Sequence, residues 1–159
     1  MGENAQIRVL LEQEQDFSFR VSFPGSTVAA LAADLSPPVG HGDGPDPEML
    51  LLAALGNCLA ASLLFALRKF GGEVRGLRAE ATAHSMRNDD GRLRIPRVDV
   101  DLHVPGLAPD YPKFERVLAQ FEQFCTVTQS VRQGIDVRVS VIDGEGRVLK
   151  GDRSFEAGS

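Results

Sequence analysis

Apolar and polar residues alternate through the first 35 positions: Ile7, Val9 and Leu11, then Phe17, Phe19, Val21 and Phe23, then the run Val28 to Leu35. A period of two marks strands with one face buried. Asp16 and Pro24-Gly25-Ser26 punctuate the pattern as turns, so residues 5–35 are predicted to form a three-stranded antiparallel meander. Ser36 to Pro47 is dense in Gly and Pro and reads as a loop. It runs into a helix start: Asp46 can cap, Pro47 suits the first helical position, and the Glu48 carboxylate lies where the helix dipole favours it. The helix is predicted over 46–70, with Arg68 and Lys69 in its last turn and Gly71-Gly72 ending it. In the remaining part, 73–150, Val74 to Met86 and Leu93 to Val104 read as two long strands joined by Asn88-Asp-Asp-Gly91. Pro109 to Pro112 leads into a second helix, with Phe114, Val117, Leu118, Phe121 and Phe124 at helical spacing. Thr126-Val-Thr-Gln129 has the form of a capping box and predicts a short third helix with Thr126 as its cap. A strand over Ile135 to Ile142 and a short return at Val148-Leu149 follow. The order βββ-α-ββ-αα-ββ predicts a single α+β domain over 1–159, with no internal repeat and a tail in the last few residues.

The central helix has no polar face. Leu50, Leu51, Leu52, Leu55, Leu59, Leu63, Leu64, Phe65 and Leu67 point all round a 3.6-residue period, so the helix must be buried on every side or lie in lipid. Met49 to Leu67 carries no charge over nearly the length of a membrane span. However, Gly56, Asn57, Cys58 and Ser62 lie at its centre and the flanking chain reads as β-structure, which favours a core helix. One layer of sheet covers only part of such a helix, and a second copy of the chain would cover the rest, so a homodimer is expected.

Composition narrows the function classes. A chain of 159 residues, 43% hydrophobic and 25% charged, is ordinary for a globular domain. Net charge is −5, from 17 Lys and Arg against 22 Asp and Glu. Without a basic run, nucleic acid is not an expected partner. The N-terminal residues lack the basic and apolar regions of a signal peptide, and Gln6 stands where a myristoylation signal needs Ser or Thr. A reducing cytoplasm is therefore the expected compartment, and two cysteines there are more often free or reactive than structurally bridged.

Cys58 stands mid-helix, where a free thiol often only fills space. Cys125 directly precedes the predicted third helix, as its N-cap or one residue before it, where amide N–H groups and the helix dipole would lower a thiol pKa; a buried thiol filling a helix–helix corner is the other reading. Glu48 needs no role beyond stabilising its helix. Ten residues of helix rise about 15 Å, so if Glu48 works with Cys58 it must come from a second subunit. His41, His84 and His103 show no metal-ligand spacing with one another. The loop Gly40-His-Gly-Asp-Gly44 lacks the Lys or Gly-x-Gly-x-x-Gly of a phosphate cradle.

Three stretches together resemble the OsmC/Ohr family of osmotically inducible and organic-hydroperoxide-resistance proteins. They are the helix start Gly44-Pro-Asp-Pro-Glu48 through Cys58, the segment Phe124-Cys-Thr-Val-Thr-Gln-Ser130, and the order of elements over nearly the whole chain. The resemblance implies antiparallel sheets wrapped around long central helices in an intertwined homodimer. It also implies a thiol peroxidase acting on organic hydroperoxides or hydrogen peroxide. Cys58 would become a sulfenic acid, Cys125 would resolve it to a disulfide, Glu48 would orient the thiolate, and an external thiol or dithiol would reduce the product. Two departures stand out: Glu12 to Ser18 holds no Arg where the family's peroxidases have one, leaving Arg20 as the nearest cation, and Thr126 replaces the usual Pro. A non-catalytic dimer that binds a small apolar ligand in the interface cleft is the alternative the same fold allows.

Overall fold

The computed structural model describes residues 6–151; residues 1–5, which include the expected start of the meander, and the expected tail lie outside them. The chain divides into two compact units, one up to Leu51 and one from Leu52 onward.

In the first unit, β1 (Leu10–Gln15), β2 (Ser18–Ser22) and β3 (Leu31–Ala33) form an antiparallel sheet in that order. Asp16 takes a positive φ of 45° in the turn between β1 and β2. β3 is far shorter than the apolar run Val28 to Leu35, because only Leu31 to Ala33 finds a partner on β2. The Gly/Pro loop after β3 is organised by Asp34, which is 2% exposed. Its carboxylate accepts the N–H groups of Leu35, His41 and Asp43 at 2.8–3.2 Å. Burial alone would raise the Asp34 pKa, but these amides outweigh it and hold the carboxyl below its usual range. The loop delivers the chain to α1 (Pro47–Lys69). Asp46 caps it as expected, accepting the Met49 N–H at 2.8 Å while Ser36 Oγ donates to its other oxygen.

In the second unit, the last turn of α1 closes on Gly71, whose φ is 84°, and Gly72 N–H donates to Leu67 O at 2.9 Å. β4 (Arg78–Arg87) and β5 (Leu93–His103) form the long hairpin, turned by Asn88 to Gly91. β6 (Asp136–Ile142) lies parallel to β5, and β7 (Val148–Lys150) closes the sheet. This second sheet is therefore mixed rather than purely antiparallel: between β5 and β6 the chain makes a crossover that returns it to the same end. The crossover carries a 3₁₀ turn at Ala108–Asp110, α2 (Phe114–Gln120), a second 3₁₀ turn at Phe121–Phe124, and α3 (Thr126–Val131). The predicted second helix thus tightens into 3₁₀ geometry over its last turn.

The core is built on one face of this sheet. Val98, Val100 and Leu102 of β5 and Val141 of β6 are fully buried, as are Leu55, Leu59 and Leu63 of α1. At roughly 1.5–3 kcal/mol for each buried aliphatic side chain, these residues supply much of the drive for folding. A Cβ at Gly56 would stand 3.9 Å from the Cβ atoms of Ala79 and Ala81, so small residues let helix and strand approach closely. Pro47–Lys69 has the length and composition of a membrane span, and 39% of its apolar window is buried within the chain itself. That buried stripe makes it a core helix. Its opposite side leaves Met49 and Phe65 more than half exposed.

The other face of the sheet is polar, since the period of two sends Arg97, Asp99, Asp101 and His103 away from the core. There Asp99, 4% exposed, is hydrogen-bonded to His84 Nε2 at 2.5 Å and ion-paired with Arg97 Nη2 at 3.2 Å.

Candidate functional site

The two thiols, 67 positions apart in sequence, are brought together within the second unit. Leu55 and Leu59 anchor the α1 face on either side of Cys58 and hold its half-buried side chain at the edge of the core. Cys125 is fully buried and stands as the N-cap residue of α3, directly after the 3₁₀ turn of Phe121–Phe124. Its side chain neighbours the Cys58 thiol closely enough for the two to interact. Its Sγ donates to Thr128 Oγ1 at 3.1 Å, and Thr128 too is fully buried.

The start of α3 differs from the expected capping box. Thr126 is the first helical residue rather than the cap, and Gln129 N–H donates to Cys125 O. The Gln129 side chain donates instead to Glu122 O at 3.0 Å, because the preceding 3₁₀ turn presents that carbonyl. The sulfur forms no capping hydrogen bond, although the Thr128 amide faces it closely enough to favour a thiolate.

The electrostatics of Cys125 also correct the sequence expectation. Burial, followed by the neighbouring Cys58 thiol, pushes its pKa up, while the Thr128 hydroxyl and amide only partly offset this. A single turn of helix does not overcome full desolvation. Cys125 is therefore held as a thiol, close to its neighbour but not spontaneously ionised.

A part-buried ionic node fixes the segment that carries Cys125. Glu122 accepts from Lys150 Nζ at 2.5 Å and from Arg132 Nη2. Lys150 also reaches Leu118 O and lies over the Phe121 ring, while Arg132 donates to Val137 O. These contacts tie α2, α3, β6 and β7 around the 3₁₀ turn. Sequence reasoning missed the node because its members come from three separate segments.

Glu48 sits exposed in the first turn of α1, about 15 Å along the helix from Cys58. The two are not adjacent within one chain. Arg20 is exposed on β2 and pairs with Glu14 at 3.4 Å. The structure also brings together Asp34, His41 and Asp43, whose ligand atoms lie within 4.8 Å of one another. The Asp34 oxygens there are already engaged by backbone amides, which gives the cluster a loop-fixing role. Two recesses flank α1: one of 260 Å³ lined by Leu52, Gly56, Ala79 and Ala81, and one of 510 Å³ lined by Ala61, Leu64, Arg68 and Arg75.

An α+β chain that sets a half-buried helical thiol beside a buried thiol at a helix start is a two-cysteine protein by class. The family model described as OsmC-like protein matches residues 40–140, and the chain belongs to the OsmC family. No curated protein matches it. Among solved structures it is similar to an OsmC-like protein of unknown function from Vibrio cholerae, with a TM-score of 0.72 at 18% identity, covering 87% of this chain and 100% of that one. It is also similar to an organic hydroperoxide resistance protein OsmC from Legionella pneumophila (TM-score 0.65, 18% identity, 87% and 98% covered). A third is the organic hydroperoxide resistance protein OhrB of Bacillus subtilis (0.63, 18%, 86% and 98%). At these identities the likeness establishes the fold.

Proposed function

We propose that the chain is a thiol-dependent peroxidase that reduces organic hydroperoxides or hydrogen peroxide. The observation that carries this reading is the meeting of Cys58 and Cys125, one half-buried and the other fully buried. The Cys58 thiolate attacks the terminal peroxide oxygen. The O–O bond breaks, the alcohol or water leaves, and Cys58 becomes a sulfenic acid. Cys125 then displaces the hydroxyl from the Cys58 sulfur as water, leaving a disulfide that an external thiol or dithiol reduces. Two relatives of the same fold are named for organic hydroperoxide resistance, which supports the substrate class.

In this reading the working unit is a homodimer in the cytoplasm, and Glu48 of one subunit orients the Cys58 site of the other. No cofactor or metal takes part. The recesses beside α1 support the alternative, a non-catalytic dimer that binds a small apolar ligand. Stopped-flow mixing of the reduced protein with cumene hydroperoxide separates the two. Oxidation of Cys58 within seconds, followed by a Cys58–Cys125 disulfide in the mass spectrum, is the expected result. A Cys58 that stays reduced for minutes in excess peroxide overturns the peroxidase reading.

A further inference from the structure

The groups around the Cys125 sulfur point to a role for a residue outside the cysteine pair. Cys125 and Thr128 are both fully buried, so water does not compete for either side chain. The sulfur neighbours the Cys58 thiol and lies 3.1 Å from Thr128 Oγ1. A hydroxyl can accept a hydrogen bond or donate one, by rotation about a single bond. Among the described residues, Cys58 of α1 is the titratable group that acts on this sulfur.

We propose that Thr128 is a positioning residue for the resolving step, holding the Cys125 sulfur near Cys58 and donating a hydrogen bond from its hydroxyl to that sulfur as it becomes a thiolate. The proposal rests on the two-cysteine reading above. In the resting dithiol, Cys125 S–H donates to Thr128 Oγ1. When Cys125 attacks the Cys58 sulfenic acid, the S–O bond of Cys58 breaks and the S–S bond forms. The Cys125 proton leaves with the hydroxyl as water. The Cys58 sulfur is reduced and the Cys125 sulfur oxidised, so no further oxidant is needed. Through this step the Thr128 hydroxyl turns and hydrogen-bonds to the sulfur that is losing its proton. Burial resists charge on Cys125, and Thr128 supplies part of the compensation. It does so from the third residue of α3, a position that the N-cap geometry of Cys125 fixes.

The test compares Thr128→Val, which keeps the shape but loses the hydroxyl, with Thr128→Ser, which keeps the hydroxyl and loses the methyl. After one equivalent of peroxide, disulfide closure in Thr128→Val is expected to slow about tenfold, as for loss of one hydrogen bond to a charged group. The midpoint of its rate against pH should move upward. The slowing belongs to the second phase rather than the first, and Thr128→Ser should close within about threefold of the parent on the same grounds. Equal rates and midpoints in Thr128→Val and the parent overturn the proposal, as does a Thr128→Ser variant as slow as Thr128→Val, which would assign the effect to the methyl.

Diamide separates this from the peroxidase reading. It forms an adduct on a thiol without peroxide chemistry, here the half-buried Cys58, and Cys125 then displaces it to close the disulfide. If the parent ignores peroxide but closes with diamide, and Thr128→Val closes about tenfold more slowly, the peroxidase reading fails and the positioning role stands. Equal closure with diamide removes the positioning role whatever peroxide does.

Discussion

Cys58 keeps part of its surface open while Cys125 has none, so a peroxide arriving from solvent meets Cys58 first. The pKa of Cys125, pushed up by burial and by Cys58 itself, keeps it from competing for the oxidant. Cys58→Ser should therefore abolish peroxide consumption, a loss of about a thousandfold or more for a nucleophile. Cys125→Ser should retain the first oxidation and stop there, leaving a sulfenic acid that dimedone traps. Mass spectrometry of the trapped protein checks both, and dimedone adducts on Cys125 in the parent would reverse the assignment. A second residue-scale prediction concerns Gly40. A Cβ there would stand 2.1 Å from Leu35 O and 2.6 Å from Asp34 Oδ1, and neither the backbone nor the amide-bound carboxylate can retreat cheaply. Gly40→Ala should lower unfolding free energy by about 1–3 kcal/mol, as overpacking does, seen as a lower urea midpoint.

At the scale of elements, the position of Cys125 depends on Glu122. Burial alone would raise the Glu122 carboxyl, but hydrogen bonds and charge from Lys150 and Arg132 outweigh it and hold its pKa below the ordinary glutamate range. A folded pKa below the unfolded one adds stability above the unfolded value and loses it as pH falls through the folded one. Glu122→Gln should thus cost about 1.5–3 kcal/mol at neutral pH. The parent and variant stabilities should converge in acid below the ordinary carboxyl range; a gap that persists there would place the effect in packing rather than in ionisation. This node also shows what the sequence conceals. The bounds of α1 were legible because Asp46-Pro47-Glu48 and Gly71-Gly72 act locally. The Glu122 contacts were not, since side chains from distant segments meet only after folding. The parallel pairing of β5 with β6 was hidden for another reason: strands alternate with the same period in either direction. Thr126-x-x-Gln129 misled by one residue because Gln129 found a nearer carbonyl at Glu122. The two thiols were paired by family resemblance, as spacing alone left each a plausible core residue.

At the scale of the whole molecule, the unsolved half of α1 is its outer face. Phe65 is 61% exposed and Met49 53%, with Ala53, Asn57 and Ala61 between them on the exposed side. Such a stripe on a long helix is costly to leave in water, and a second copy of the same helix would cover it through small residues. The protein is expected to sediment at twice its 17.2 kDa chain mass, and Phe65→Glu should shift it toward a single chain. In the proposed function a dimer would matter chemically, because Glu48 lies about 15 Å along its own helix from Cys58 and would reach the site only from the partner subunit. Subunit mixing tests this directly. Homodimers of Glu48→Ala and of Cys58→Ser should each consume little peroxide. After the two are unfolded together and refolded, random pairing makes about half the dimers mixed, and each mixed dimer holds one intact site out of two. Recovery of about a quarter of the parent activity is then expected. If Glu48 served its own chain's Cys58, no mixed dimer would hold an intact site and mixing would restore nothing.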